Sequence, residues 1–234
     1  MSIEENIAKI RENIRLAAIS AGRNPDEILL CAATKMNDAT AVHRAIQAGV
    51  DCCGENKVQE LTEKLRANAY HGAPIHFIGH LQTNKVRMVV GNVDLIQSVD
   101  SIRLLEAINK EAEKLNIQQS ILLEVNIGNE ASKSGFLASE IQEILPLIPK
   151  YRNILVKGLM AIPPICQFKG ENRNFFEEMY HLYVDIMQKK YDNISVGILS
   201  MGMSDDYEDA ITCGSTMIRI GTAIFGARDY GNSH

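Results

Sequence analysis

Leu30-Cys-Ala-Ala-Thr-Lys-Met-Asn37 is an apolar run that reads as a buried strand and ends on a lysine, Lys35. An ammonium group is costly to bury unless it is paired or neutralised. A lysine directly after a buried strand therefore either sits at the strand's wet end or is chemically modified. What recurs after this stretch decides the fold. β-rich runs lie at 28–34, 50–54, 75–79, 95–99, 121–127, 156–162, 195–201 and 217–225. Helical patterns at 39–48, 58–67, 102–115, 138–147, 174–189 and 206–213 fill most of the gaps. Strand-helix alternation argues for parallel β/α units. Eight such units, in a chain slightly under the ~250 residues typical of the fold, predict a single α/β domain over 1–234, a TIM-type (β/α)8 barrel. The spacing of Ile3, Ile7, Ile10, Ile14, Ala17 and Ala18 adds an extra N-terminal helix. A doubly wound open sheet of similar size is the competitor.

In a barrel, chemistry gathers where strands end, on the C-terminal face. The runs here end at Thr34-Lys35, Gly54-Glu-Asn56, Gly79-His80, Ser98-Val-Asp100, Glu124-Val-Asn126 and Ser200-Met-Gly-Met-Ser204, and the last carries Arg219-Ile-Gly-Thr222. Singly these are ordinary polar junctions; together they define a rim. Loops after the seventh and eighth strands are the frequent phosphate site of barrels, and Gly202, Ser204, Gly221 and Thr222 are the small and hydroxyl residues such a site needs. Ser204 or Asp205 could equally be a helix N-cap. A lysine on the first strand facing that site has the placement needed to form an imine with a phosphorylated aldehyde, namely pyridoxal 5'-phosphate (PLP).

Composition excludes several other classes. The chain has 234 residues, 46% hydrophobic and 23% charged, with net charge -5 and sequence pI ≈ 5.7. Nothing in it favours nucleic acid. No apolar run reaches the ~18 residues of a membrane span, and the acidic N-terminus differs from a signal peptide. A cytoplasmic protein is expected. The five cysteines, Cys31, Cys52, Cys53, Cys166 and Cys213, form no C-x-x-C and read as buried, reduced thiols.

Ala33-Thr-Lys35, Gly54-Glu-Asn-Lys-Val-Gln-Glu60, His76-Phe-Ile-Gly-His-Leu-Gln-Thr-Asn-Lys85, Ser98-Val-Asp-Ser101, Glu124-Val-Asn-Ile127, Lys133-Ser-Gly-Phe136, Gly158-Leu-Met160, Leu199-Ser-Met-Gly-Met-Ser-Asp-Asp206 and Gly214-Ser-Thr-Met-Ile-Arg-Ile-Gly-Thr-Ala-Ile-Phe-Gly226 resemble the pyridoxal phosphate homeostasis protein family, the YggS/PROSC type, nearly end to end. The resemblance implies a barrel similar to the N-terminal domain of alanine racemase, with PLP bound as an internal aldimine, a Schiff base on Lys35. It implies that Ser204, Gly221 and Thr222 hold the phosphate, that Arg219 lies near the pyridine nitrogen, and that Asn56, His80 and Ser200 line the pocket. Three positions depart from the family pattern. Thr34 stands where a serine is usual, which keeps the hydroxyl. Lys57 often aligns with tyrosine, and Met36-Asn-Asp38 replaces a basic-proline pair, so the pocket entrance differs.

The resemblance favours storage, buffering or delivery of PLP to apo PLP-dependent enzymes, without dedicated turnover. An arginine beside the pyridine nitrogen weakens the ring as an electron sink. A racemase also needs two acid/base groups on opposite faces. In alanine racemase the second comes from a C-terminal domain, which this chain is expected to lack. The competing readings are a small PLP-dependent amino-acid racemase taking its second base from the rim, with His80 and Lys57 as candidates, or from a partner subunit, and an aldolase-like enzyme acting on a sugar phosphate through Lys35. A monomer is preferred, because the second domain, and with it the racemase dimer interface, is expected to be missing.

Other signals are set aside. His76 and His80 share a strand face but lie roughly 13 Å apart along it, so they predict no metal site. The glycines after Gly214 form no dinucleotide motif, and there is no Walker lysine motif. Phe175, Phe176, Met179, Leu182, Tyr183 and Ile186 read as a core stripe. Glu55 and Glu60 near Lys57 and Lys64 read as surface pairs of little worth. Lys133 is either a solvated loop lysine or a handle for PLP transfer.

Overall fold

The computed structural model describes residues 1–130, 132–165 and 168–226. Eight strands close into a barrel in sequential order: β1 (Leu29–Ala33), β2 (Cys52–Glu55), β3 (Ile75–Phe77), β4 (Leu95–Val99), β5 (Gln119–Val125), β6 (Ile154–Ala161), β7 (Ile194–Ser200) and β8 (Met217–Ile220). Every pairing is parallel, and β1 meets β8 through Cys31↔Arg219 and its neighbours. Parallel strands need covered crossovers. These are α2 (Ala39–Gln47), α3 (Val58–Arg66), a 3₁₀ turn Thr83–Met88, α4 (Ile102–Lys114), α5 (Ala138–Ile144), α6 (Arg173–Met187) and α7 (Tyr207–Thr212).

The expected extra helix is α1 (Ile3–Ser20), opened by a reciprocal cap in which Ser2 Oγ accepts from the Glu5 amide and Glu5 returns to the Ser2 amide. Its buried stripe is Ile7, Ile10, Ile14, Ala17 and Ala18, packed against α2, α7 and the final short helix α8 (Thr222–Phe225). Two expected boundaries are corrected. The last run, 217–225, is a strand only to Ile220, because Ile224 and Phe225 donate to the Gly221 carbonyl and wind into α8. The helix expected over 138–147 stops at Ile144, where Pro146 and Pro149, which have no N–H, leave a 3₁₀ segment Leu145–Lys150. The stripe on α6 is confirmed as core, with Phe176, Met179, Tyr183 and Ile186 buried.

Period-two alternation sorts the strands into two cores. Leu30, Ala32, Cys53, Phe77, Ile96, Ile121, Leu123, Leu159, Leu199, Ile218 and Ile220 belong to the large core between strands and helices. Cys31, Cys52 and Met217 pack together apart from it, as do Leu95, Leu122 and Met160. These inward residues share faces with His76, Gln97, Glu124, Ser200 and Arg219, so the barrel axis becomes polar toward the C-terminal face. The described cysteines Cys31, Cys52, Cys53 and Cys213 are buried and unbridged; Cys166 lies outside the described residues. No helix among the described residues is long and apolar enough to cross a membrane.

Candidate functional site at the barrel mouth

The mouth is built around the turn that follows β1. Lys35 is half-buried there, and Met36 takes φ 62, a left-handed conformation that costs a non-glycine residue about 1 kcal/mol or more. Three contacts hold the turn. Asn37 donates its amide to the Thr34 carbonyl at 3.1 Å, Glu60 Oε2 accepts from the Met36 amide at 2.6 Å, and Lys64 Nζ donates to the Thr34 carbonyl at 2.6 Å.

The expectation that Glu55 and Lys64 form a surface pair is corrected here. Glu55 is 0% and Lys64 8% exposed, and Glu55 Oε1 accepts from both Lys64 Nζ and the Thr34 hydroxyl. Lys64 sits on the buried stripe of α3 with Val58 and Leu61, a spacing visible in the sequence that marks its side chain as facing the strands. Lys57 and Glu60 are nearer the expectation: Lys57 is exposed and lies 3.7 Å from Glu60.

Across the mouth, the loops after β7 and β8 meet. Ser204 Oγ accepts from the Ala223 amide at 3.3 Å, so its hydroxyl reaches the head of α8 instead of capping α7. Asp206 occupies the α7 cap position, and its Oδ1 accepts from the Met203 amide at 2.7 Å. Gly221 adjoins β1: a Cβ placed on it would lie 3.4 Å from the Ala33 carbonyl oxygen, beside the residues leading to Lys35. Thr222 is exposed at the start of α8. Lys35, Ser204, Gly221 and Thr222 therefore follow the C-terminal ends of β1, β7 and β8, at one end of the barrel.

Beneath it, Arg219 is 4% exposed and donates to Ser200 Oγ at 2.6 Å and to the Ala161 carbonyl at 2.9 Å. Burial pulls its pKa below the ordinary value, while the negative charge of groups such as Glu124 and Asp206 works the other way. A guanidinium stays charged under such a pull. Ser200 donates to Gln97 Oε1 at 2.7 Å, and Gln97 Nε2 lies 2.9 Å from His76 Nδ1. A chain of contacts thus runs down the barrel axis from Arg219 to His76. Glu124, 9% exposed, has its carboxyl pushed up to about 7 by burial, with the like charge of Asp100 adding to the effect and Arg219 opposing it.

The remaining expected pocket residues lie on the β2 to β5 side. Asn56 Oδ1 is buried without a hydrogen-bond partner among the described residues. Gly79 makes room for the Asn56 backbone, since a Cβ on it would fall 2.1 Å from the Asn56 carbonyl oxygen. His80 stands at the rim with its side chain 61% exposed, 3.2 Å from Asp100 Oδ2 and 3.4 Å from Ser134 Oγ. The expected shared strand face is corrected: β3 ends at Phe77, so His76 points into the barrel from the strand while His80 stands beyond its end, on the lip. Lys133 Nζ is tied to Glu130 Oε1 at 2.7 Å and to the Pro163 carbonyl at 3.1 Å, pinning the loop after β5 to the one after β6. It is not a freely solvated lysine.

The alanine racemase N-terminal domain model matches residues 6–229. The pyridoxal phosphate homeostasis protein of Escherichia coli K12 is 39% identical over 232 residues, covering 97% of each chain. That of Pasteurella multocida is 38% identical over 232 residues, covering 98% of this chain and 99% of its own. Among solved structures, PipY of Synechococcus elongatus with PLP bound superposes at TM-score 0.81 and 29% identity, over 96% of this chain and 100% of PipY. Alanine racemase of Clostridium difficile, 16% identical at TM-score 0.67, shares the fold over 97% of this chain and 58% of its own. With a matched domain model across nearly the whole chain and full-length relatives well above 30% identity, this chain belongs to the pyridoxal phosphate homeostasis protein family.

Proposed function

We propose that this protein binds PLP at the C-terminal mouth of the barrel and serves intracellular PLP homeostasis, buffering the cofactor or handing it to apo-enzymes, as a monomer in the cytoplasm. The observation that carries the reading is the meeting of Ser204 with the head of α8 beside Gly221, next to the turn that bears Lys35. A hydroxyl and backbone amides at the head of α8, next to the turn bearing a lysine, are the groups a phosphorylated aldehyde would require. The residues present fit the cofactor. Gly221 leaves a space that a Cβ would enter, and Asn56 Oδ1 is a buried acceptor awaiting a donor.

On this reading Lys35 holds the aldehyde carbon, and Ser204, Gly221 and Thr222 hold the phosphate. Arg219 faces the pyridine nitrogen, and Asn56, His80 and Ser200 line the pocket. Bound PLP supplies an electrophilic carbonyl and an electron-accepting ring. Arg219, fixed by Ser200 and Ala161, keeps a positive charge where protonation of that ring would otherwise build one, which lowers the ring's electron-accepting power. The groups weighed as a second base support a carrier over a racemase: His80 leans sideways onto Asp100 and Ser134, and Lys57 points to Glu60 in solvent.

The test is the visible spectrum of purified protein with added PLP, then borohydride reduction and peptide mapping. We expect a yellow band that disappears on reduction and a single pyridoxyl adduct on Lys35. Adducts scattered over surface lysines would overturn the reading, and steady racemisation of an amino acid would replace the carrier with the enzyme.

A single variant isolates the phosphate. Ser204→Ala removes one hydrogen bond to a charged group, about 1.5–3 kcal/mol, and is expected to weaken PLP binding by about tenfold to a hundredfold. Binding of pyridoxal, which lacks the phosphate, should barely change. Equal losses for both ligands would place the phosphate elsewhere.

A further inference from the structure

Below the mouth, the barrel interior holds a group of side chains that the proposed function does not use. Cys31 on β1, Cys52 on β2 and His76 on β3 are buried, and their Sγ, Sγ and ring-nitrogen atoms all lie within 4.8 Å of one another. The strand register makes the cluster: Cys31↔Cys52 and Gly54↔His76 are aligned pairs, so alternate inward positions on three neighbouring strands converge. Gly54 keeps the space open, because a Cβ there would press within 2.9 Å of Cys31 Sγ.

We propose that Cys31, Cys52 and His76 form a binding site for one thiophilic metal ion, Zn²⁺, inside the barrel and separate from the mouth. Two sulfurs and an imidazole are the donor set of Cys₂His zinc sites, which leave the fourth position to water. With Zn–S about 2.3 Å and Zn–N about 2.0–2.1 Å, a tetrahedral site has an S···N edge of roughly 3.5 Å. The Cys52 Sγ to His76 Nδ1 distance is 3.5 Å.

Charge favours the ion as well. Coordination releases the two thiol protons to solvent, and two thiolates with Zn²⁺ make a neutral unit that the low-dielectric interior tolerates. Gln97 Nε2 donates to the same His76 Nδ1 at 2.9 Å, so an ion at this nitrogen takes the place of that hydrogen bond, while Gln97 keeps its contact with Ser200 through Oε1. A route in exists from the opposite end of the barrel. His76 lines a cavity of ≈ 400 Å³ with Asp94, Leu95, Ser120 and Ile198 at the N-terminal mouth, so an ion and its water can reach the imidazole without crossing the mouth that carries Lys35.

The experiment titrates the reduced full-length protein anaerobically with Co²⁺ as a spectroscopic probe, then displaces it with Zn²⁺ against a chromophoric chelator. We expect one equivalent, a thiolate-to-cobalt charge-transfer band in the near ultraviolet and the intense visible bands of a tetrahedral ion. His76→Gln and the pair Cys31→Ser with Cys52→Ser should each lower Zn²⁺ affinity by about a hundredfold or more, with circular dichroism checking the fold. The wild-type protein gives an independent readout should a variant fail to fold. Zn²⁺ should shield Cys31 and Cys52 from an alkylating reagent, mapped by mass spectrometry, and leave the rate at Cys213 unchanged. Lack of a charge-transfer band, affinity indifferent to the substitutions, or equal alkylation with and without Zn²⁺ would overturn the site.

Discussion

Lys64→Met will cost the fold about 3–5 kcal/mol, the penalty for leaving one partner of a buried ion pair without the other. Glu55 is fully enclosed at the end of β2, and Lys64 Nζ comes to it from α3 with only 9% of its side chain exposed. Methionine keeps the length and apolar stem of lysine, so little of the loss comes from packing. What disappears is the charge facing the carboxylate and the donor to the Thr34 carbonyl. The Thr34 hydroxyl then remains as a hydrogen-bond donor to Glu55 Oε1. Urea unfolding should show a lower midpoint with an unchanged slope. Glu55→Gln combined with Lys64→Met should recover much of the loss, because no charge is then stranded. A single-variant loss below about 1 kcal/mol would mean that solvent reaches the pair and relieves it. Because Lys64 also anchors the turn carrying Lys35, the variant should slow the appearance of the yellow band on adding PLP as well as weaken the fold.

That ion pair marks where the sequence stopped being legible. The closed barrel could be read because its evidence is local and repeated: each strand is a short β-rich run, and most crossover helices carry their own stripe. The rim could be read because strand ends are where polar residues break apolar runs. Lys35, Ser204, Gly221 and Thr222 all follow strand ends for that reason. The overshoot of the last strand has the same cause in reverse, since Ala223-Ile-Phe225 is as apolar as a strand, and only the two amides folding back on the Gly221 carbonyl make it helical.

What stayed hidden depends on pairs far apart in the chain. Glu55 and Lys64 read as surface charges because a carboxylate ending a strand and a lysine within a helix are individually commonplace. Their burial follows only once α3 is laid against β2. Likewise, His76 was weighed against His80, its neighbour in sequence, while its actual contacts are Cys52 and Gln97 on adjoining strands. Register across a barrel is a property of the closed sheet, and no single strand displays it.

Glu124→Gln should stabilise the protein at pH 8 by up to about 3 kcal/mol and have almost no effect at pH 4. Glu124 faces the mouth from β5, and burial, followed by the like charge of Asp100, lifts its carboxyl from the ordinary 4.5 to about 7. Between those two values the folded protein keeps a proton that the unfolded chain has released. The folded state then binds more protons, and its stability falls as pH rises through this window. Below about 4.5 both states are protonated and the carboxyl costs nothing. Above about 7 both are ionised, and the full cost, about 3 kcal/mol for a displacement of this size, is borne by the native state. Glutamine removes the ionisation while keeping the shape and an acceptor. Thermal unfolding of wild type and variant from pH 4 to 8, both without PLP, reads the difference directly. The gap should open between about pH 4.5 and 7 and then stay constant. If the variant is instead less stable than wild type at pH 8, the attraction between the Glu124 carboxylate and the buried Arg219 outweighs desolvation, and the polar floor of the mouth is held together by that pair.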